Sequence, residues 1–201
     1  MAELTITTFL TLDGVMQAPG GPTEDTSGNF THGGWVFPYF DTDMGEIMTG
    51  IFEKADAFLL GRGTYDIFAG YWPKVTDEKV GIANNLNTLP KYVASRSAQT
   101  LTWHNSKPVR NVVQEVKALK TRYKREVQVH GSAGLAQTLI ENGLIDEFRL
   151  LVFPVTVGSG KRLFGSGKGP AAMSLVNTRV TGSGAVLQVY RRDGELKTGS
   201  F

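Results

Sequence analysis

Three short segments carry the residue types that bind a phosphate: Gly61-Arg62-Gly63-Thr64, Ser95-Arg96 and Gly131-Ser132-Ala133-Gly134, the last running into Leu135. Glycines let a backbone approach an anion closely, a guanidinium grips two oxygens at once, and a hydroxyl at a helix start adds a donor. Each segment follows a short run of β-branched and aromatic residues and two of them open a helical pattern, so free N–H groups and a helix dipole face whatever lies beyond the strand. Two arginines beside a dinucleotide favour the extra phosphate of NADPH over the bare ribose of NADH.

Other chemistries are poorly served. Gly158-Ser159-Gly160-Lys161 is followed by Arg162 and lacks the spacing and Ser/Thr of a P-loop, and the Gly131 turn lacks the three-glycine spacing of the common dinucleotide fingerprint. His32, His104 and His130 have no paired ligand spacing, so they read as surface or structural histidines and no metal is expected. With no cysteine and no Gly-x-Ser-x-Gly elbow, covalent acyl transfer has little support.

The elements that must position these loops alternate in type. Apolar runs at residues 4–10, 57–60, 91–95, 127–130 and 148–152 read as strands, the last apolar enough to be buried on both faces. Met44, Ile47, Met48, Ile51 and Phe52 recur at helical spacing, and residues 65–71 continue as a helix with Thr64 as its cap. A polar helical stretch covers residues 78–86. Pro108 is expected early in a helix whose stripe is Val109, Val112, Val113, Val116 and Leu119, and residues 135–142 form a helix stopped by Gly143. Residues 175–180 and 185–190, around Thr181-Gly182-Ser183-Gly184, read as an antiparallel hairpin. Residues 13–35, rich in Gly, Pro, Thr and Ser, have no period and read as a lid over a site.

The 201 residues, 41% hydrophobic and 20% charged, fit one globular domain, residues 1–201, with a core at about 4–191. A net charge of +2 with dispersed basic residues gives no case for nucleic acid. The N-terminus lacks the pattern of a signal peptide and no stretch has the length of a membrane span, so a cytoplasmic protein is expected.

Thr11-Leu12-Asp13-Gly14, Gly61-Arg62-Gly63-Thr64-Tyr65, Lys91-Tyr92-Val93-Ala94-Ser95-Arg96 and Gly131-Ser132-Ala133-Gly134-Leu135 together resemble the dihydrofolate reductase-like superfamily. Residues 139–147, continuing through Phe153-Pro154-Val155 to Gly158-Ser159-Gly160-Lys161-Arg162-Leu163-Phe164, resemble its riboflavin-biosynthesis branch, the C-terminal reductase domain of RibD. The resemblance spans about residues 4–191 and leaves no room for an accompanying deaminase domain. It implies an α/β fold with a central, mostly parallel sheet flanked by helices, a homodimer, and NADPH-dependent reduction of the ribosyl chain of a pyrimidine phosphate. Carried over by position, Gly61 to Thr64 and Gly131 to Leu135 hold the cofactor phosphates, while Ser95 and Arg96 face its 2′-phosphate and adenine; Asp13, in the loop after the first strand, is the catalytic acid nearest the substrate, with Asp41 and Asp43 in reserve, and Trp35 and Asp41 face the substrate, Trp35 and Phe37 offering flat surfaces for its ring. Residues 13–35 lack the basic cluster that a substrate phosphate would need. A pterin or folate reductase on the same fold and a non-catalytic nucleotide-binding module are the alternatives.

Overall fold

A computed structural model of the chain describes residues 1–76, 81–96, 100–165 and 170–200. Eight strands form one sheet: β1 (Glu3–Thr11), β2 (Ala55–Gly61), β3 (Lys91–Ala94), β4 (Ser106–Val109), β5 (Glu126–Val129), β6 (Glu147–Phe153), β7 (Met173–Val180) and β8 (Val186–Arg192). Their order is β4-β3-β2-β5-β1-β6-β8-β7. Pairing is parallel from β4 through β6, whereas β8 runs antiparallel to both β6 and β7.

Five helices cover the two faces: α1 (Thr42–Phe52), α2 (Arg62–Tyr71), α3 (Gly81–Thr88), α4 (Val112–Arg122) and α5 (Ala133–Glu141). Strands buried on both faces must be apolar in both registers. β2 obeys this: Phe58 and Leu60 pack with Met48, Ile51 and Phe52 of α1, while Ala57 and Leu59 pack with Val116 and Leu119 of α4 and Leu135 and Leu139 of α5. The helical stripe expected around Met44 is buried as α1, and Phe148 and Leu151 of β6 are buried on opposite faces.

Three local expectations are corrected. Pro108 stands in β4, not in a helix; β4 is an edge strand bonded only to β3, a place where a residue with no N–H is tolerated. The following helix starts later and is capped by Asn111, whose side chain accepts from Gln114 N. Thr64 is not a cap either, because α2 already begins at Arg62 and its cap position is Gly61. Of the helical stretch expected over residues 78–86, residues 78–80 lie outside the described residues and the rest falls in α3.

Candidate active site

In an open parallel sheet, ligands gather beyond the carboxyl ends of the strands. A cavity of about 920 Å³ opens there. Its floor is Thr7, Thr8 and Phe9 of β1 and His130 just after β5; its walls are Met48 and Phe52 of α1, Ile67 and Phe68 of α2, Trp72, and Ile82 of α3. The roof is the segment expected to be a lid, contributing residues 16–20, Glu24, Asp25 and Ser27.

That roof is tied down by its own polar groups. Gln17 is 4% exposed, and its Nε2 donates to Asp25 O (3.0 Å) and Ser27 O (2.9 Å), while its Oε1 accepts from Lys161 N (3.0 Å). Lys161 Nζ pairs with Asp25, so the single lysine lining the cavity is already neutralised.

Two glycine turns meet at the cavity's edge. Gly61 N donates to Gly131 O (3.4 Å), and a Cβ on Gly61 would collide with Ser132 Oγ and stand 2.9 Å from Ser132 N. Gly131 has φ 96°, and the Gly131–Ser132 peptide is cis. These turns open α2 and α5, neither of which has a side-chain cap, whereas α1 and α4 are capped by Asp41 and Asn111. Side chains thus leave the first turns of α2 and α5, which reach the cavity, uncapped and cap those of α1 and α4, whose starts lie outside the lining. Arg62 Nε is bound to both oxygens of Asp66 at 2.8 Å, but its Nη1 is buried without a partner. An orphaned guanidinium N–H beside uncapped helix starts and two close-packed glycine turns fits a diphosphate well.

The expected site residues divide. Gly63, Thr64, Gly131, Ser132, Ala133 and Gly134 line the cavity, with Gly61 and Arg62 at its edge. Leu135 is packed in the core and stands outside the lining. Ser95 and Arg96 follow β3, one step beyond the Ala94 to Gly61 pairing, alongside the start of α2 but outside the lining. Asp13, Trp35 and Asp41 are outside it too, each engaged elsewhere. The Asp13 carboxylate accepts from Thr11 Oγ1 (2.6 Å), Gly158 N (2.8 Å) and Val157 N (3.3 Å), and the Thr11 bond foremost holds its pKa below the usual 3.8. Trp35 Nε1 donates to Gln17 O, with its ring edge-on to Phe153. Asp41 caps α1 and accepts from Ser183 N, while Asp43 accepts from Gly182 N, so both acids dock the hairpin turn. Phe37 is 84% exposed.

Glu24 and Thr7, which the sequence reading did not single out, and His130, read there as a surface or structural histidine, do line the cavity. Glu24 lines the cavity, its Oε2 accepting from Gly20 N (2.6 Å) and Gly21 N (3.1 Å). Burial raises its pKa above the usual 4.5, against the pull of those two amides. Thr7 and His130 sit on the floor. A second hollow of about 470 Å³, between Met1, Glu3, Lys54, Lys124, Arg125 and Glu126, lies at the opposite ends of the strands, and Glu3, Arg125 and Glu126 there are already paired with Arg191, Asp56 and Arg149.

This sheet order, with β8 reversed and a cavity under a long loop, is a dihydrofolate reductase-like fold. Similar architectures occur in a Shewanella sp. PV-4 protein described as a riboflavin biosynthesis protein (TM-score 0.67, 19% identity, 96% of this chain and 99% of that one). A pyrimidine reductase-like protein of Corynebacterium diphtheriae gives 0.65 with 13% identity, covering 96% and 93% of the two chains. Dihydrofolate reductase of Enterococcus faecalis, solved with NADP(H), gives 0.59 with 13% identity over 95% and 96%. The chain belongs to the RibD C-terminal domain family, whose model matches residues 2–187. It is 32% identical over 187 residues to YyaP, an uncharacterized protein of Bacillus subtilis strain 168, covering 92% of each chain.

Proposed function

We propose that the protein is an NADPH-dependent reductase of a small planar substrate, working as a cytoplasmic homodimer. The observation that carries this reading is the convergence, at one edge of the cavity, of two uncapped helix starts, two glycine turns in contact and the buried, unpartnered Arg62 Nη1. A nicotinamide cofactor there supplies a hydride; the chain itself orients the two reactants and manages a proton. Glu24 is the group in the cavity suited to the proton, since burial keeps it protonated to higher pH than an ordinary carboxyl. Asp13, bound to two backbone amides and Thr11, holds the turn after β1 against the loop that carries Lys161.

A ribosyl pyrimidine phosphate, the substrate that the family resemblance implies, needs a cation for its phosphate. Among the described lining residues the one cation, Lys161, is committed to Asp25. The reductase reading therefore extends to hydride transfer but not to that acceptor.

Calorimetric titration with NADPH and NADH is the test. Arg62→Ala removes a charged donor to the diphosphate and weakens both by roughly tenfold or more, whereas Arg96→Ala weakens NADPH alone. Absence of NADPH binding by the intact protein would overturn the reading. Tight NADPH binding with no oxidation by any carbonyl or imine acceptor, dihydrofolate included, would favour a non-catalytic nucleotide-binding module.

A further inference from the structure

The floor of the cavity holds two polar side chains whose hydrogen-bonding capacity the protein leaves unused. Thr7 is 3% exposed, lines the cavity, and its Oγ1 has no partner. A buried hydroxyl with no partner is costly unless something arrives to bind it. His130 lies beside it, directly after the end of β5: the β1–β5 register runs through Ile6 and Val129, and Thr7 and His130 are the next residues along.

The protonation of His130 follows from its neighbours. Gln128 Nε2 donates to Ile51 O (2.6 Å) and to Glu126 Oε2 (2.8 Å), and both are acceptors only. The amide is therefore fixed with its oxygen towards His130 Nε2, 3.1 Å away, and an amide oxygen can only accept. Nε2 carries the proton. Glu126 stays a carboxylate because Arg149 Nη1 and Nη2 donate to its two oxygens at 2.9 and 2.7 Å. Nδ1 is left with a bare lone pair, and no donor among the described residues reaches it. The ring stacks on Phe52 with centroids 4.3 Å apart, and burial, aided by the Arg149 charge, holds its pKa well below the ordinary 6.5, so it stays neutral.

The floor thus presents one obligate acceptor and, beside it, one hydroxyl able to donate, with Phe9 next to them and aromatic walls formed by Phe52, Phe68 and Trp72. A ring lactam offers the complement, an N–H next to a carbonyl. An anion offers acceptors alone and would set them against the Nδ1 lone pair. We propose that Thr7 and His130 read the lactam edge of a planar, uncharged substrate, His130 Nδ1 accepting from the ring N–H and Thr7 Oγ1 donating to the adjacent carbonyl oxygen. This rests on the cavity being the substrate site of the reductase.

The test is fluorescence titration with lumazine, a fused-ring lactam, and with 1,3-dimethyllumazine, whose methyl groups block both N–H donors. Uracil and riboflavin serve as smaller and larger lactam probes. The intact protein binds lumazine about tenfold more tightly than its dimethyl form, the factor expected of one hydrogen bond in a dry site. Thr7→Val, which keeps the shape, and His130→Phe, which keeps the stacking, each remove about that factor for lumazine and change neither dimethyllumazine nor NADPH binding. In long-range ¹H–¹⁵N spectra, the unprotonated Nδ1 resonance of His130 moves when lumazine is added. Equal binding of the two lumazines, no binding of any of the three lactams, or variants that bind lumazine as the intact protein does would overturn the proposal. The NADPH titration is read separately, so loss of cofactor binding with the lumazine pattern intact would sink the reductase reading and leave the lactam site standing.

Discussion

Glu24 shows how a loop residue acquires a working pKa. Withdrawal from solvent disfavours its charged form, the amides of Gly20 and Gly21 favour it, and the neighbouring Asp25 charge disfavours it again, with burial the largest effect. Because the folded pKa is raised, the carboxyl stays protonated at pH values where a free glutamate has ionised, and it loses its proton as pH rises through that raised value. A reductase that takes its proton from Glu24 therefore has kcat/KM that is flat at low pH and falls with rising pH, along a limb displaced upward from the ordinary 4.5. Glu24→Gln removes that limb and lowers kcat by about 100-fold or more, with NADPH affinity unchanged. Steady-state kinetics across pH checks this. An unchanged pH profile in the variant would show that the proton comes from elsewhere.

Among the elements, the four helix starts with described caps separate stability from binding. Asn111→Ala strips the cap from α4, far from the cavity, and lowers the unfolding free energy by about 1 kcal/mol in denaturant melts while leaving NADPH affinity intact. Gly61→Ala is expected to do the reverse: its methyl group enters the space of Ser132, the two glycine turns move apart, and NADPH affinity falls by an order of magnitude or more. If Gly61→Ala bound the cofactor normally, the contact between the turns would have no part in binding. These turns were legible in the sequence because strand, glycine and helix pattern follow one another within a few residues. β4 was not, since Lys107-Pro108 reads locally as a helix start and only its pairing with β3 makes it a strand. The floor was hidden for a related reason. Glu126 and Gln128 of β5 and His130 just after it alternate as an unusual polar series in the interior of a sheet, but their surroundings come from Arg149 on β6 and Thr7 on β1, which the chain brings together only on folding. Asp13, Trp35 and Asp41 have the residue types of a site, yet each is held by partners the local sequence does not show: Gln17 lies 18 residues from Trp35, and the loop before Lys161 and the hairpin turn lie 144 and 142 residues from Asp13 and Asp41.

At the scale of the molecule, the sheet is asymmetric. Its β4 edge is short and carries Pro108, and both features discourage pairing with another chain. Its β7 edge is eight residues long, every one of them exposed, and it displays Leu175 and Val176 at 54% and Val180 at 64% exposure. A strand whose apolar side chains are covered by no described residue is the surface a monomer would be expected to blunt and a dimer to bury. The proposed homodimer is accordingly assigned to β7 and the outer face of β8. Light scattering at micromolar concentration should give about twice the chain mass of 21.9 kDa. The double variant Leu175→Lys, Val176→Lys should elute as a monomer with its NADPH affinity retained, because the cavity draws no residue from β7 or β8. An intact protein that is monomeric, or a double variant that remains dimeric, would remove the assignment. Loss of NADPH binding on dissociation would place a partner residue at the cofactor loops, on the far side of β1 from this edge.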